Sequence, residues 1–373
     1  MSVAIQTGSP RLRTATFDEH ESITWLEASG ALESLPLQDW RNLWLKNPLW
    51  PRLGKDWPIG WVLEDASGRI VGSLNNIPTQ YNFRGRELIC ANGRGWVVAP
   101  EYRGFALWLM EEYFNQSGAD LFINTTIAPT AAPTLSTLSD RIPLGDFQSV
   151  AYWITGYRGF AKKALQKLHV PGAGLLAWPS AATLWLKDAL LTKSLPAAPA
   201  SIIVEKAEQF DGRFDAFWEE LVRQNPDKLL GVRDRESLAW HFAVPLRMGR
   251  LWVFTASRAG LLRAYCILKR QDKNDGVRRM QLVDYQSLEP CDDLLPSLLR
   301  AALERCAAEN LYALEHIGCG LPKMRVFDGF APYRRRLPCW PFYYRAADPA
   351  IHAELIQPDI WDPSTFDGDA SFD

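Results

Sequence analysis

Hydrophobic and polar positions follow two patterns along this chain, one typical of strands and one typical of helices. Residues 70–74 are mostly apolar and follow a turn signal at Ser67-Gly68, which predicts the second strand of a hairpin. Further along, apolar residues recur at helical spacing and share one helix face: Ala106, Leu109, Met110, Tyr113 and Phe114. Because strand and helix patterns alternate, the chain is predicted to belong to the α/β class, with mixed (α+β) sheets.

The same order of elements occurs twice. A strand, a helix and a strand are predicted at 95–99, 104–116 and 121–125, and again at 280–286, 294–308 and 311–317. A Trp-Leu-Asn-Pro spacing also repeats at a constant offset, as Trp40, Leu43, Asn47 and Pro48 and as Trp218, Leu221, Asn225 and Pro226. These repeats predict two tandem domains, at 1–158 and 202–346, with a helical connector at 159–201 and a C-terminal tail at 347–373. Chance similarity of mixed α/β segments is the alternative.

The predicted connector has an unusual composition. Lys162, Lys163 and Lys167 form a basic helical run, and an apolar helix is predicted at 181–191. This combination is typical of a peripheral membrane contact or a partner helix, which would involve 160–191. A connector packed across both domains, with its lysines solvated, is the alternative.

Composition narrows the functional classes. The chain has 373 residues, 47% of them hydrophobic, and a net charge of -2, which argues against DNA binding because phosphates require clustered cations. The six cysteines contain no Cys-x-x-Cys pair and no histidine spacing fits a metal site, so no metal is expected. Residues 1–13 show no signal-peptide pattern and no apolar run would span a bilayer. A cytoplasmic location is therefore expected.

The segment with the clearest chemistry is the turn after the strand at 95–99. A helix that starts directly after a strand directs unpaired N–H groups and partial positive charge at the strand end, where a pyrophosphate can bind. Gly104 would let a phosphate approach the backbone, and Arg103 would add a charge-assisted hydrogen bond. The sequence predicts an anion site formed by amides at this helix start.

Val98, Pro100, Arg103 and Gly104 match the Val-x-Pro-x-x-Arg-Gly signature, and here the sequence resembles the GNAT superfamily of acyl-CoA-dependent N-acyltransferases. The resemblance implies two GNAT-like domains and acyl-CoA as the donor substrate. It assigns the donor site to these residues: Val97, Val98, Ala99, Arg103, Gly104, Phe105 and Ala106. The tandem arrangement is also distantly similar to Fem-type aminoacyl transferases.

In the family mechanism, an amine or hydroxyl attacks the thioester directly. The amide of Val98 or Ala99 would stabilise the oxyanion, and a general base would accept the proton of the nucleophile. Asp284 is a candidate base because its apolar strand would raise the pKa of its carboxyl group, and Glu101 on the turn is another. A structural, hydrogen-bonded role is the alternative for Asp284.

Three further features bear on acceptor and partners. Tyr333, Arg334 and Arg335 could bind acceptor phosphates or, as a lesser alternative, charged tRNA; an exposed hairpin is the other interpretation. The ending 361–364 is similar to tails of acyltransferases near polysaccharide genes, which suggests a sugar or another small-molecule acceptor. The bulky Trp108, and the lack of tyrosine at 128–146, leave a non-catalytic binding protein as the remaining alternative. The acidic Asp367-Gly368-Asp369 is interpreted as a flexible tail.

Overall fold

A computed structural model describes most of the chain. The described residues are 8–30, 32–145, 147–191, 195–272, 276–289, 291–318, 321, 325–337 and 341–372. The strands are β1 Arg11–Thr14, β2 Gly60–Glu64, β3 Ile70–Phe83, β4 Arg86–Val98, β5 Leu121–Thr125, β6 Asp140–Arg141, β7 Ser149–Ile154, β8 Ile203–Ala207, β9 Leu230–Gly231, β10 Leu251–Arg258, β11 Leu261–Arg270, β12 Arg279–Ser287, β13 Ala313–Ile317, β14 Tyr333–Arg336 and β15 Phe342–Ala346.

Helices cover the faces of the sheets and connect the strands. The α-helices are α1 His20–Ser29, α2 Leu37–Leu45, α3 Trp50–Leu53, α4 Ala106–Asn115, α5 Ala132–Leu135, α6 Tyr157–Lys167, α7 Ala173–Leu191, α8 Gly212–Gln224, α9 Arg235–His241, α10 Ala243–Arg247, α11 Cys291–Ala308, α12 Arg325–Asp328 and α13 Pro349–Leu355. Short 3₁₀ helices include Pro100–Phe105, Thr365–Asp367 and Asp369–Ser371. The predicted mixed α/β class is confirmed.

The two sheets have matching strand order and direction. The first runs β1-β2-β3-β4-β5-β15-β6, with β9 paired to β3, and the second runs β8-β10-β11-β12-β13-β7-β14. In each sheet one neighbouring pair is parallel, β4 with β5 and β12 with β13, whereas the other pairs along these orders are antiparallel. In both cases a helix, α4 or α11, connects the parallel strands, as a parallel crossover requires.

Strands from each half of the chain pair within the sheet of the other half. β7 lies in the first half of the chain but pairs with β13 and β14 of the second sheet. β15 lies in the second half but pairs with β5 and β6 of the first sheet. The predicted ranges 1–158 and 202–346 had implied that each sheet is built from one contiguous segment. Neither sheet is, because each one includes a strand from the other half.

The helix patterns place apolar residues against the sheets as expected. On α4, the residues Leu109, Met110, Tyr113 and Phe114 are buried in the core beneath the first sheet. A second core joins the two sheets, with Cys90 of β4 and Leu282 of β12 in the same cluster. Alternate side chains of β15 serve both cores, because Tyr343 packs in the first while Phe342 and Tyr344 pack in the second.

Candidate functional site

β4 and β5 separate partway along the first sheet. They pair in parallel only where Cys90–Asn92 lies beside Leu121–Ile123, although β4 continues as far as Val98. The last residues of β4, Trp96, Val97 and Val98, are only half-buried. β4 therefore continues beyond its pairing with β5, and this unpaired end of the strand leads into the Arg-Gly turn.

A β-bulge bends β4 at the same place. Ser73 is opposite Val97 and Asn75 is opposite Arg94, so β4 contains one extra residue at this point. Gly95 lies in the bulge with a φ of 70°. A Cβ on Gly95 would come within 2.4 Å of a Glu27 carboxylate oxygen, so this position requires glycine both sterically and conformationally.

The bulge is supported by a buried polar network that sequence reasoning missed. Glu27 of α1 accepts hydrogen bonds from Asn75 Nδ2 at 2.6 Å and from Arg94 Nη1 at 3.2 Å. Glu27, Asn75 and Arg94 are all buried. The charge pattern gave no signal, because Glu27 and Arg94 are far apart in sequence and lie on different elements.

The amides at the end of β4 are not equivalent. The Ala99 amide donates to the Val71 carbonyl at 2.8 Å, so it continues the pairing with β3 and is not available as an oxyanion donor. Successive N–H groups of a strand point to opposite edges, so the Val98 amide points toward the edge from which β5 has separated. This corrects the expectation for Ala99 and leaves Val98 as the candidate.

The turn itself differs from the prediction. A 3₁₀ helix, Pro100–Phe105, precedes α4, which begins only at Ala106. The Tyr102 amide donates to Ala99 and the Ala106 amide donates to Arg103. A 3₁₀ helix uses its own amides in such i to i+3 bonds, so the expected set of bare N–H groups at this turn is reduced.

The side chains of the turn face solvent. Arg103, Gly104 and Glu101 are exposed, and a Cβ on Gly104 would meet no atom within 4 Å. Space therefore exists for a ligand beside Gly104, with Arg103 next to it. Glu101 lies on the same exposed turn.

An aromatic group lines the rest of the turn. The Trp96 indole donates to the Ala106 carbonyl at 3.2 Å, and the rings of Phe105 and Trp108 meet edge to face at 4.9 Å. Trp108 is half-buried and packs against Phe105. Trp108 is thus part of an aromatic group at the start of α4.

The second sheet has the equivalent strand separation, but the C-terminal tail fills it. β12 and β13 pair only from Arg279–Leu282 to Ala313–His316, and β12 bulges at Val283. Beyond the bulge, the Ser364 hydroxyl donates to Asp284 at 2.7 Å and the Thr365 hydroxyl donates to the Val283 carbonyl at 2.9 Å.

Asp284, the preferred base, has structural partners instead. Its carboxylate accepts hydrogen bonds from Arg233 Nε at 2.8 Å and from the Tyr265 hydroxyl at 3.2 Å. Asp284 and Arg233 are almost fully buried. Burial acts to lower the pKa of Arg233, but Asp284 and Asp367 outweigh it and raise that pKa above its ordinary value. A carboxylate held by a buried cation is a poor proton acceptor, so Asp284 belongs to the structural core.

The interpretation of Asp367-Gly368-Asp369 as a flexible tail is wrong. Asp367 is buried and accepts from the Tyr81 hydroxyl at 3.0 Å. Burial and the charge of Asp367 raise the pKa of Tyr81 well above its ordinary value. Asp369 accepts from the hydroxyls of Thr125 and Thr126, at 2.7 and 2.9 Å, where β5 ends. The tail thus links the strand separations of both sheets.

His241 lies against this tail. Its Nε2 is 2.7 Å from the Ser371 hydroxyl, and its ring packs between Phe366 and Phe372. Burial, then the positive charges of Lys269 and Arg233, lower the pKa of His241 well below its ordinary value. A small cavity of about 40 Å³ lies beside it, bordered by residues of both halves. His241 is a neutral structural histidine at neutral pH.

The predicted acceptor cluster lies on a different sheet from the Arg-Gly turn. Tyr333, Arg334 and Arg335 form part of β14, the outer strand of the second sheet. The Tyr333 hydroxyl donates to Asp188 at 2.7 Å, and Arg335 pairs with the buried Glu315 at 2.7 Å. Tyr333 and Arg335 therefore make contacts within the protein, and only Arg334 of these three residues is exposed.

The described residues contain no group of three or more His, Cys, Asp or Glu residues placed to hold a metal ion. Within the same part of the chain, no helix has the length and apolarity needed to cross a membrane.

No protein-family model matches the sequence, and no curated protein matches it significantly. Solved structures do match over nearly the whole chain. Saccharomyces cerevisiae N-myristoyltransferase with bound myristoyl-CoA has 13% identity and a TM-score of 0.53, covering 93% of this chain and 87% of that one. A GCN5-related N-acetyltransferase from Kribbella flavida has 14% identity and a TM-score of 0.53, covering 93% and 73%. A probable N-acyltransferase from Enterococcus faecalis has 11% identity and a TM-score of 0.53, covering 91% and 73%.

These matches define a class of structure. The chain has the GNAT fold, as the sequence resemblance implied. At this level of identity the matches establish the fold, and the distant similarity to Fem-type transferases stays a prediction.

Proposed function

We propose that this protein transfers an acyl group from acyl-CoA to an amine or hydroxyl acceptor. The observation that carries the proposal is the separation of β4 from β5 just before the exposed Arg103-Gly104 turn. The N-myristoyltransferase with the same fold was solved with bound myristoyl-CoA, which supports the same class of donor here.

In the proposed reaction, Arg103 binds the pyrophosphate of the donor and Gly104 permits its close approach. The thioester lies along the free edge of β4, where the Val98 amide stabilises the oxyanion that forms when the nucleophile adds to the carbonyl carbon. The carbon–sulfur bond then breaks and the CoA thiolate leaves. The nucleophile's proton passes to a base, for which Glu101 remains the candidate on this turn.

The class of acceptor is a separate part of the proposal. A sugar acceptor, in cytoplasmic polysaccharide synthesis, is proposed from the tail sequence at 361–364. The tRNA alternative loses support because Arg335 is already paired with Glu315. A non-catalytic acyl-CoA-binding protein is the second candidate, favoured by the structural role of Asp284.

The donor site is tested by isothermal titration calorimetry with acetyl-CoA and with myristoyl-CoA. We expect saturable binding that weakens about tenfold or more in Arg103→Ala, since a charge-assisted hydrogen bond is lost. Gly104→Val should also weaken binding, because its side chain would occupy space beside the turn where an added Cβ meets no protein atom within 4 Å.

Arg86→Ala is the matched control, since Arg86 is exposed at the opposite end of β4. Its affinity for both ligands should equal that of the wild type. The absence of binding heat with either acyl-CoA would contradict the proposal. Equal affinity in the Arg103→Ala, Gly104→Val and wild-type proteins would locate the donor site elsewhere. If binding is intact, transfer to amine and hydroxyl acceptors distinguishes the enzyme from the binding protein.

A further inference from the structure

The α7 helix buries small or polar residues and exposes large apolar ones, the reverse of a helix that packs on a protein core. Its buried positions are small or polar: Ala173, Ala177, Ala181 and Asp188. Its exposed positions carry large apolar side chains: Leu175, Leu176, Trp178, Trp185, Leu186 and Leu190. A surface helix normally buries its large apolar residues and exposes its polar ones, so the outer face of α7 is built to contact something apolar.

The orientation of this face is fixed by buried polar contacts. Asp188 accepts hydrogen bonds from the Tyr157 hydroxyl at 3.0 Å and from the Tyr333 hydroxyl at 2.7 Å. These bonds tie α7 to the start of α6 and to β14. Rotation of α7 to bury its leucines and tryptophans would break both bonds, so the apolar face stays directed outward.

Positive charge accompanies the apolar face. The segment 157–191 contains Arg158, Lys162, Lys163, Lys167 and Lys187, whereas its only acidic residue, Asp188, is buried. The Arg158 guanidinium lies 4.7 Å from the centre of the Trp178 ring, which places a cation at the border of the apolar face. Any partner of this surface must therefore offer apolar groups and negative charge together.

We propose that the α6–α7 hairpin docks on an anionic lipid surface. The outer face of α7 would enter the boundary between headgroups and acyl chains, while the cations of α6 bind the anionic headgroups. Exposed tryptophans suit this boundary, because the indole ring is apolar with one polar N–H. A second copy of the chain is a poorer occupant, because pairing two such hairpins would bring like charges together.

Cosedimentation with large unilamellar vesicles tests the proposal. The full-length protein should bind vesicles of phosphatidylcholine with phosphatidylglycerol, bind pure phosphatidylcholine much less, and dissociate as salt is raised. Trp178→Ser/Trp185→Ser should abolish most of the binding. Lys162→Ala/Lys167→Ala should weaken binding to the anionic vesicles by roughly fivefold per charge removed.

Two matched controls distinguish this surface from exposed residues in general. Trp25 is 67% exposed on α1, and Trp25→Ser should bind vesicles like the wild type. Lys46 is exposed after α2, and Lys46→Ala should also leave binding unchanged. Because all the altered side chains are exposed, each variant is expected to keep the wild-type thermal unfolding midpoint.

Three outcomes would overturn the proposal. In the first, the wild-type protein binds neither kind of vesicle. In the second, the Trp178→Ser/Trp185→Ser protein binds as well as the wild type. Alternatively, sedimentation velocity without lipid reveals a dimer that the same double variant dissociates, which would assign the face to a second copy.

Discussion

The strand separation of the first sheet, here called the open gap, leads to an exposed turn, and the tail touches it near the end of β5 and at Asn92. The separation of the second sheet, here called the closed gap, is filled by the tail. Where β4 leaves β5, the strand ends in half-buried residues and an exposed Arg-Gly turn. Where β12 leaves β13, the Arg233–Asp284 pair and the tail residues Ser364 and Thr365 occupy the space. Matching topology thus provides a candidate ligand site in one half and a polar core in the other.

The comparison separates the features that both sheets share from those that only the first sheet has. Both gaps have a bulge and a following helix, so these features alone do not make a site. In the first sheet a buried network around Glu27 supports the bulge, and the last residues of β4 stay half-buried. In the second, the buried charges are directed into the gap itself, where they bind the tail.

The largest expected effect is in the closed gap. Arg233→Met leaves the buried carboxylates of Asp284 and Asp367 without their cation, so the free energy of unfolding should fall by about 3–5 kcal/mol. Urea unfolding followed by tryptophan fluorescence measures it. Arg103→Met, at the exposed turn, should change stability by less than about 0.5 kcal/mol. An equal change in the two variants would contradict the distinction between closed and open gaps.

A smaller effect is expected at the bulge of the open gap. Glu27→Gln removes the charge that faces Arg94, so stability should fall by about 1–3 kcal/mol. Because the bulge positions Val97 and Val98, affinity for acyl-CoA should fall as well, which calorimetry measures at a temperature where the variant is folded. If stability falls while affinity is unchanged, the bulge does not position the donor site.

The smallest effect is a pH dependence from His241 beside the tail. Its folded-state pKa lies below its unfolded value of about 6.5, so the neutral form stabilises the fold. This stability is complete above the unfolded pKa and is lost as the pH falls below it, with a slope of at most about 1.4 kcal/mol per pH unit. His241→Gln should flatten the slope of unfolding free energy between about pH 7.5 and 5.5.

The control for this pH dependence is His169, which is exposed between α6 and α7 with a φ of 56°. Asparagine tolerates that backbone conformation, so His169→Asn should retain the wild-type slope. A slope that is unchanged in His241→Gln would show that other groups cause the loss of stability.

Local features of the fold were readable from the sequence. The turn at Val98, Pro100, Arg103 and Gly104 depends on adjacent residues, and the apolar face of α4 depends on helical spacing. The mixed α/β class followed from the same patterns. The repeated Trp-Leu-Asn-Pro spacing was less informative, because Trp40 lies on α2, the second α-helix of its half, whereas Trp218 lies on α8, the first α-helix of its own half.

Non-local features were not readable. Asp284 was interpreted as a base because its strand is apolar, but its partner Arg233 is 51 positions away and the serine that binds it is in the tail. The tail was interpreted as flexible because of its composition, although its carboxylates bind Tyr81 and the two threonines where β5 ends. Such pairings depend on tertiary packing, which residue spacing does not encode.

The exchange of β7 and β15 has a consequence for how the chain acquires its structure. During synthesis β7 emerges long before β13, and β5 lacks its outer neighbour until β15 is complete. Unpaired strand edges favour misassembly with other chains, so the nascent protein carries exposed edges until β13 and β15 are made. A fragment containing only one half of the chain would form a sheet that lacks one of its strands. The same fragment would also carry a strand whose partner strands are missing.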